Sequence, residues 1–165
     1  MELHPETPVR GVRLADLFPG YHRGERQEYM RDFAAGFGIE GMASPERLPN
    51  TRRILAMAEY AREMGKLDTF RTLAMKERWE NGSDLEDVNI LGNLAAASGL
   101  DRQKALKASE SAVYLVRIDD IRAEAERMGI NGIPTFIIGK ERIVGCQPYQ
   151  VVAEAVIRVG GQRRS

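Results

Sequence analysis

The sequence predicts an α/β chain that is mostly helical, with a β-hairpin and a last helix at its C-terminal end. Two observations carry this. Between residues 25 and 128, apolar side chains recur three and four positions apart in about five successive segments, most of them closed by glycine. After Gly129 the pattern changes to two short β-rich runs, "PTFIIG" and "RIVGC", joined by "GKE".

Taken in order, residues 1–24 hold Pro5, Pro8, Gly11, Pro19, Gly20 and Gly24, which predicts irregular chain with a short helical turn at "RLADLF". From residue 25, Tyr29, Met30, Phe33 and Phe37 form one apolar stripe of a helix, which "GIEGMASPERLP" then breaks. In "NTRRILAMAEYAREMG", Asn50 is placed to cap the N-terminus, Ile54, Leu55, Ala58 and Ala61 make the stripe, and Gly65 closes the helix. "LDTFRTLAMKERWENG" is expected to start at a capping Asp68 and to turn Phe70, Leu73, Ala74 and Trp79 inward. "SDLEDVNILGNLAAASG" has capping-box spacing from Ser83 to Glu86 and ends at Gly99. Asp101 caps "LDRQKALKASE", and "AVYLVRIDDIRAEAERMG" runs to Gly129 with Arg122 and Arg127 at helical spacing from acidic neighbours. The closing segment "QPYQVVAEAVIRVG" is an amphipathic helix with Pro148 in its first turn.

Composition narrows the function. The chain has 165 residues, zero formal net charge and interspersed signs, so nothing draws it to nucleic acid or an anionic membrane. No apolar window approaches the length of a membrane span, and the N-terminus lacks the pattern of a signal peptide, so a cytoplasmic location is expected. One cysteine, Cys146, cannot make an internal disulfide, a dithiol or a cysteine-rich zinc site. The two histidines, His4 and His22, are read as surface residues, and no metal or cofactor is expected.

The stretch "GINGIPTFIIGKERIVGCQPYQVVAEAV" is more specific. It combines a Gly-x-x-Gly-[Val/Ile]-Pro-x-Phe strand, a hairpin, and a Gly-x-Gln-Pro opening of the last helix. With "ELHPETPVRG" and "LPNTRRILAMAEYAREMG", it resembles the DsbA family of thioredoxin-fold proteins, in the FrnE-like branch, where a helical block is inserted into a thioredoxin domain. The resemblance spans nearly the whole chain. It implies a single, incomplete DsbA-like domain over 1–165, with a helical insert at 25–128 and the thioredoxin-type hairpin and helix at 129–160. The family's opening strand, CxxC helix and second strand have no counterpart here, since Met1 falls where that second strand finishes. The implied reaction is thiol–disulfide exchange, and this chain alone is expected to be inactive in it, with no catalytic residue of its own.

For Ile133-Pro134 the residues alone favour a trans proline opening an edge strand. The resemblance instead implies a cis bond, and Ile133 and Pro134 as a substrate-binding pair whose backbone meets an extended thiol or disulfide protein substrate, or glutathione. Cys146 is read chiefly as a structural thiol, since free cysteine is among the most buried residue types. Its position before the last helix also makes it a candidate reactive thiol. Trp79 with Phe33 and Phe37 is read as core, with a pocket-lining role as the alternative. Without the opening strands the hairpin keeps an open apolar edge, which invites a homodimer or a companion chain. Two other readings share the architecture. One is a non-catalytic thioredoxin-like module that binds a peptide or partner, and the other is a kappa-class glutathione transferase or isomerase-like protein.

Overall fold

A computed structural model describes residues 2–18, 20 and 22–162. In chain order the elements are β1 (Val12–Arg13), α1 (Leu14–Leu17), α2 (Arg23–Ala35), β2 (Arg47–Leu48), α3 (Arg52–Glu63), α4 (Leu67–Trp79), α5 (Val88–Ala97), α6 (Arg102–Ser109), α7 (Ala112–Arg127), β3 (Thr135–Ile138), β4 (Glu141–Val144) and α8 (Tyr149–Arg158). Two compact units divide it, Met1–Asp120 and Ile121–Ser165. None of the described helices is long and apolar enough to cross a membrane.

In the first unit the core is helical. Ile54, Met57 and Ala61 from α3, Phe70 and Ala74 from α4, Leu91, Leu94 and Ala95 from α5, and Ala105 from α6 form one buried cluster. Three of the four buried positions of α3, Ile54, Met57 and Ala61, are three and four apart and make one stripe towards α4 and α6, with Ala56 the fourth. That stripe runs through Met57, whereas the sequence assigned it to Leu55 and Ala58, which are only partly buried. Small alanines let α3 and α6 approach closely, and Met57 fills the remaining gap.

Several helix ends differ from expectation. Asp101 caps α6 by accepting from the Lys104 N–H at 2.8 Å. The cap of α5 is Asp87, which accepts from the N–H groups of Asn89 and Ile90, so the Ser83–Glu86 box does not form. Ser83 instead donates to Glu77. Asp68 lies inside the first turn of α4 and pairs with Arg71 at the surface. Pro148 stands one place before α8. Gly65, Gly99 and Gly129 all take positive φ at or just past their helix ends, where the left-handed region closes a helix.

The irregular opening segment is held in place. β1 and β2 form a two-residue antiparallel ladder, Val12 with Leu48 and Arg13 with Arg47, which the proline and glycine pattern conceals. Gly11 makes this approach feasible, since a Cβ there would lie 2.5 Å from the Leu48 carbonyl oxygen, at φ +66°. Asn50 is buried and does two jobs. Its Oδ1 accepts from the Arg52 N–H at 3.0 Å, and its amide donates to the Thr7 carbonyl at 2.6 Å. Arg52 at the start of α3 donates to Glu2 at 2.7 Å and, in a two-pronged bond, to Asp119 at 2.9 and 3.1 Å.

Outside the core, Phe33 stacks on Tyr29 and meets Phe37 at a tilt, yet all three stay exposed, and Ala34 is the buried residue of α2. Trp79 is exposed at the end of α4. The aromatic stripe is therefore surface, not core.

Glu86, in the segment between α4 and α5, has one carboxyl oxygen buried with no hydrogen-bond partner among the described residues. Burial pushes its pKa up to about 7, with Arg53 opposing and Asp84 adding to the rise. The folded chain thus keeps a proton there that the unfolded chain releases near 4.5. The sign follows from proton binding. This group's contribution is most favourable below pH 4.5 and declines as pH rises towards 7, by about 1–2 kcal/mol once solvent access is allowed for. Glu86→Gln is expected to raise the unfolding free energy at pH 8 by about 1–2 kcal/mol and to change it little at pH 5. Urea unfolding at both values checks this, and an equal effect at the two would contradict it.

Candidate functional site

The second unit contains the hairpin and the last helix. β3 pairs antiparallel with β4 in the register Thr135–Val144 through Ile138–Glu141. The connection is Gly139-Lys140, with positive φ at Gly139 alone, the pattern of a type II′ turn that suits strand twist. Among the described residues β3 has no second strand beside it.

Two arginines tie down β4 at the turn end of the hairpin. α7 finishes in a Schellman-type turn, where the Gly129 N–H meets the Glu126 carbonyl and the Ile130 N–H meets the Ala125 carbonyl. The Arg142 guanidinium donates to the carbonyls of Met128 and Gly129, tying β4 to that turn. On the residue just before Arg142, Arg158 of α8 grips Glu141 with two bonds of 2.7 Å, which holds the Glu141 carboxyl below its ordinary range.

At the opposite end of the hairpin from the turn lies Ile133-Pro134, whose peptide bond is cis. The Pro134 carbonyl accepts from the Gly145 N–H at 2.8 Å, extending the ladder one step beyond β3. The Thr135 hydroxyl donates to the Gly132 carbonyl at 2.7 Å and shapes the approach to the strand. Ile133 itself is 56% exposed, and among the described residues nothing hydrogen-bonds to its N–H or C=O. An exposed, unpaired backbone unit at the start of an open strand edge is chemically a docking point for another extended chain.

The side chains around it are also uncovered. Ile133, Phe136, Ile137 and Val144 are exposed, and the buried apolar residues described in this unit are Ala125 and Ala155 alone. A strand whose two faces are apolar is normally sandwiched, so this surface has the composition of an interior.

Cys146 follows Gly145 in the turn between β4 and α8 and is exposed. This corrects the expectation of a buried thiol, because the positive φ of Gly145 turns the chain outward where a continuing strand would have carried it on. His4 is exposed and meets Glu6, and His22 precedes α2 at the surface. Among the described residues no group of three or more His, Cys, Asp or Glu side chains is placed to hold a metal ion.

A strand led by a cis-proline, a tight hairpin and a closing helix define the end of a thioredoxin-like fold. The family model for the DSBA-like thioredoxin domain matches residues 3–156, and the chain belongs to that family. In sequence it is 29% identical over 133 residues to the uncharacterized protein YwbO of Bacillus subtilis, a match that covers 79% of this chain and 66% of that protein. In structure it is similar to a probable DsbA oxidoreductase from Streptomyces coelicolor, at a TM-score of 0.82 and 23% identity, over 100% of this chain and 75% of that one. The chain therefore spans just under two thirds of the curated relative and three quarters of the solved structure.

Proposed function

We propose that this chain is the substrate-binding, helix-bearing part of a DsbA-type thiol–disulfide oxidoreductase. The single observation that carries the reading is the exposed, unpaired backbone of Ile133 ahead of Pro134, in a chain of this family. An extended segment of a thiol or disulfide protein pairs there as an added strand, main chain to main chain. In the reaction, a thiolate attacks one substrate sulfur, the mixed disulfide forms, and the displaced sulfur leaves as a thiolate. A second thiolate then attacks the mixed disulfide and closes the cycle. Both thiols must lie close to the docking point, and this sequence holds only Cys146.

The reacting pair is accordingly placed outside these 165 residues, on a further segment or a companion chain. The open edge of β3 and the uncovered Phe136 and Ile137 support that arrangement, since strands laid beside β3 would cover them. By itself the chain is inactive in exchange.

Reduction of insulin disulfides by dithiothreitol tests this. The expected result is a rate equal to the background without protein, and unchanged by Cys146→Ser. A clear acceleration that Cys146→Ser abolishes would overturn the reading.

A further inference from the structure

The first unit contains a cavity of about 120 Å³ that the exchange reaction does not use. It lies among α2, the β1–β2 ladder and the end of α4, where the Ala43 N–H bonds to the Trp79 carbonyl. Met30, Met42, Leu48 and Trp79 give it apolar walls.

Three arginines, Arg26, Arg47 and Arg78, also line it. Among the described residues none of the three has a carboxylate at ion-pair distance, unlike Arg52, Arg117 and Arg158. Their partners are neutral. Arg47 donates to the carbonyls of Arg10 and Gly11, Arg78 to those of Ser83 and Arg47, and Arg26 lies 5.6 Å over the Phe18 ring. The nearby Glu46 is taken by Arg23, and Asp84 acts on Arg78 only at longer range. Burial draws the Arg78 pKa down, the response of a cation short of a counter-charge. In a chain with equal numbers of acidic and basic residues, three arginines with no carboxylate at ion-pair distance among the described residues line one apolar hollow.

We propose that this cavity binds a small amphipathic monocarboxylate, its apolar body against Met30, Leu48 and Trp79 and its carboxylate at the arginines. The guanidinium fork matches a carboxylate in two-pronged geometry. Inorganic phosphate would leave the apolar walls bare, and an alcohol would leave the arginines unmatched. At about 15 Å³ per water-sized group, the cavity admits roughly eight such groups, the size of hexanoate. The inference stands apart from the exchange reading, since it uses no residue of the hairpin.

Trp79 is the one tryptophan of the chain, so its fluorescence reports the site directly. Titration with hexanoate is expected to shift its emission saturably with a roughly millimolar dissociation constant. Inorganic phosphate and 1-hexanol, titrated in parallel, are expected to bind at least roughly tenfold more weakly. Arg26→Gln should weaken hexanoate by roughly tenfold. This arginine is exposed and, among the described residues, its side chain bonds to no backbone group, so the variant should keep the parent's melting temperature. Absence of a saturable shift with hexanoate would overturn the proposal. So would equal affinity for 1-hexanol, which marks a merely apolar hollow, or equal affinity for phosphate, which marks a merely cationic patch. The three wild-type titrations decide the question even if Arg26→Gln does not fold.

Discussion

Replacing Arg52 by methionine is expected to lower the unfolding free energy by about 3 kcal/mol. The reason is the company this side chain keeps. Glu2 has 1% of its side chain exposed, and Arg52 bonds to one of its carboxyl oxygens while the other has no hydrogen-bond partner among the described residues. The same guanidinium grips Asp119 in α7 with two bonds. Removing it leaves an acidic group buried without its cation, and the effective penalty for that is several kcal/mol. Methionine keeps the aliphatic bulk, so lost packing adds little. Glu2→Gln removes the orphaned charge, so the double variant Glu2→Gln/Arg52→Met should be more stable than Arg52→Met alone. Urea unfolding of the four proteins gives the coupling directly. A loss under about 0.5 kcal/mol for Arg52→Met would place the pair among ordinary surface contacts and contradict the account.

The second large effect belongs to the core. Phe70 is 1% exposed at the centre of the cluster formed by α3, α4, α5 and α6. Phe70→Ala removes its transfer free energy and leaves a void that closely packed helices cannot fill, at a cost of about 3–5 kcal/mol. That is a large share of the 5–15 kcal/mol typical of a folded domain, so the melting temperature should fall by roughly 10 °C. Phe33→Ala is the matched control. Among the described residues, Phe33 meets the rings of Tyr29 and Phe37 alone and lies at the surface, so its removal should cost less than about 1 kcal/mol. Similar losses for the two phenylalanines would show that α2 packs far more tightly than its exposure states.

The contrast between these phenylalanines also shows what a sequence makes legible. Period and punctuation placed the helices, the hairpin and α8, because helical repeats, glycine stops and alternating β-branched residues are local signals. Periodicity states which residues share a face, and says nothing of whether that face meets another element. The stripes of α2 and of Trp79 therefore read as core and proved to be surface. Caps failed where several capping residues stood within one turn of each other, as Ser83 and Asp87 do. The tie of Asn50 to Thr7 and of Arg52 to Glu2 and Asp119 joins residues about forty to seventy positions apart, and the three arginines of the cavity also come from distant parts of the chain. No local pattern announces such meetings. At the hairpin, the position of Ile133-Pro134 was readable as a family pattern, whereas its isomer could not be derived from the residue types alone. The exposure of Cys146 depends on the backbone turn at Gly145, which composition does not reveal.

These features support one account of the hairpin. Among the described residues it offers a free backbone unit at Ile133 and an unpaired strand edge, preformed beside a β4 that Arg142 ties to the end of α7 and Arg158 ties at Glu141. A preformed edge binds an extended peptide at lower entropic cost than a mobile one. The central claim is that an extended segment docks there, and amide NMR tests it most directly. The titrant is an extended peptide whose central cysteine is S-methylated, so that it can pair but not react. The account predicts saturable shifts of the Ile133 and Thr135 amides, with smaller ones along β3 and none in α3 to α6. Shifts confined to the helical unit, or none at peptide concentrations of several millimolar, would contradict it.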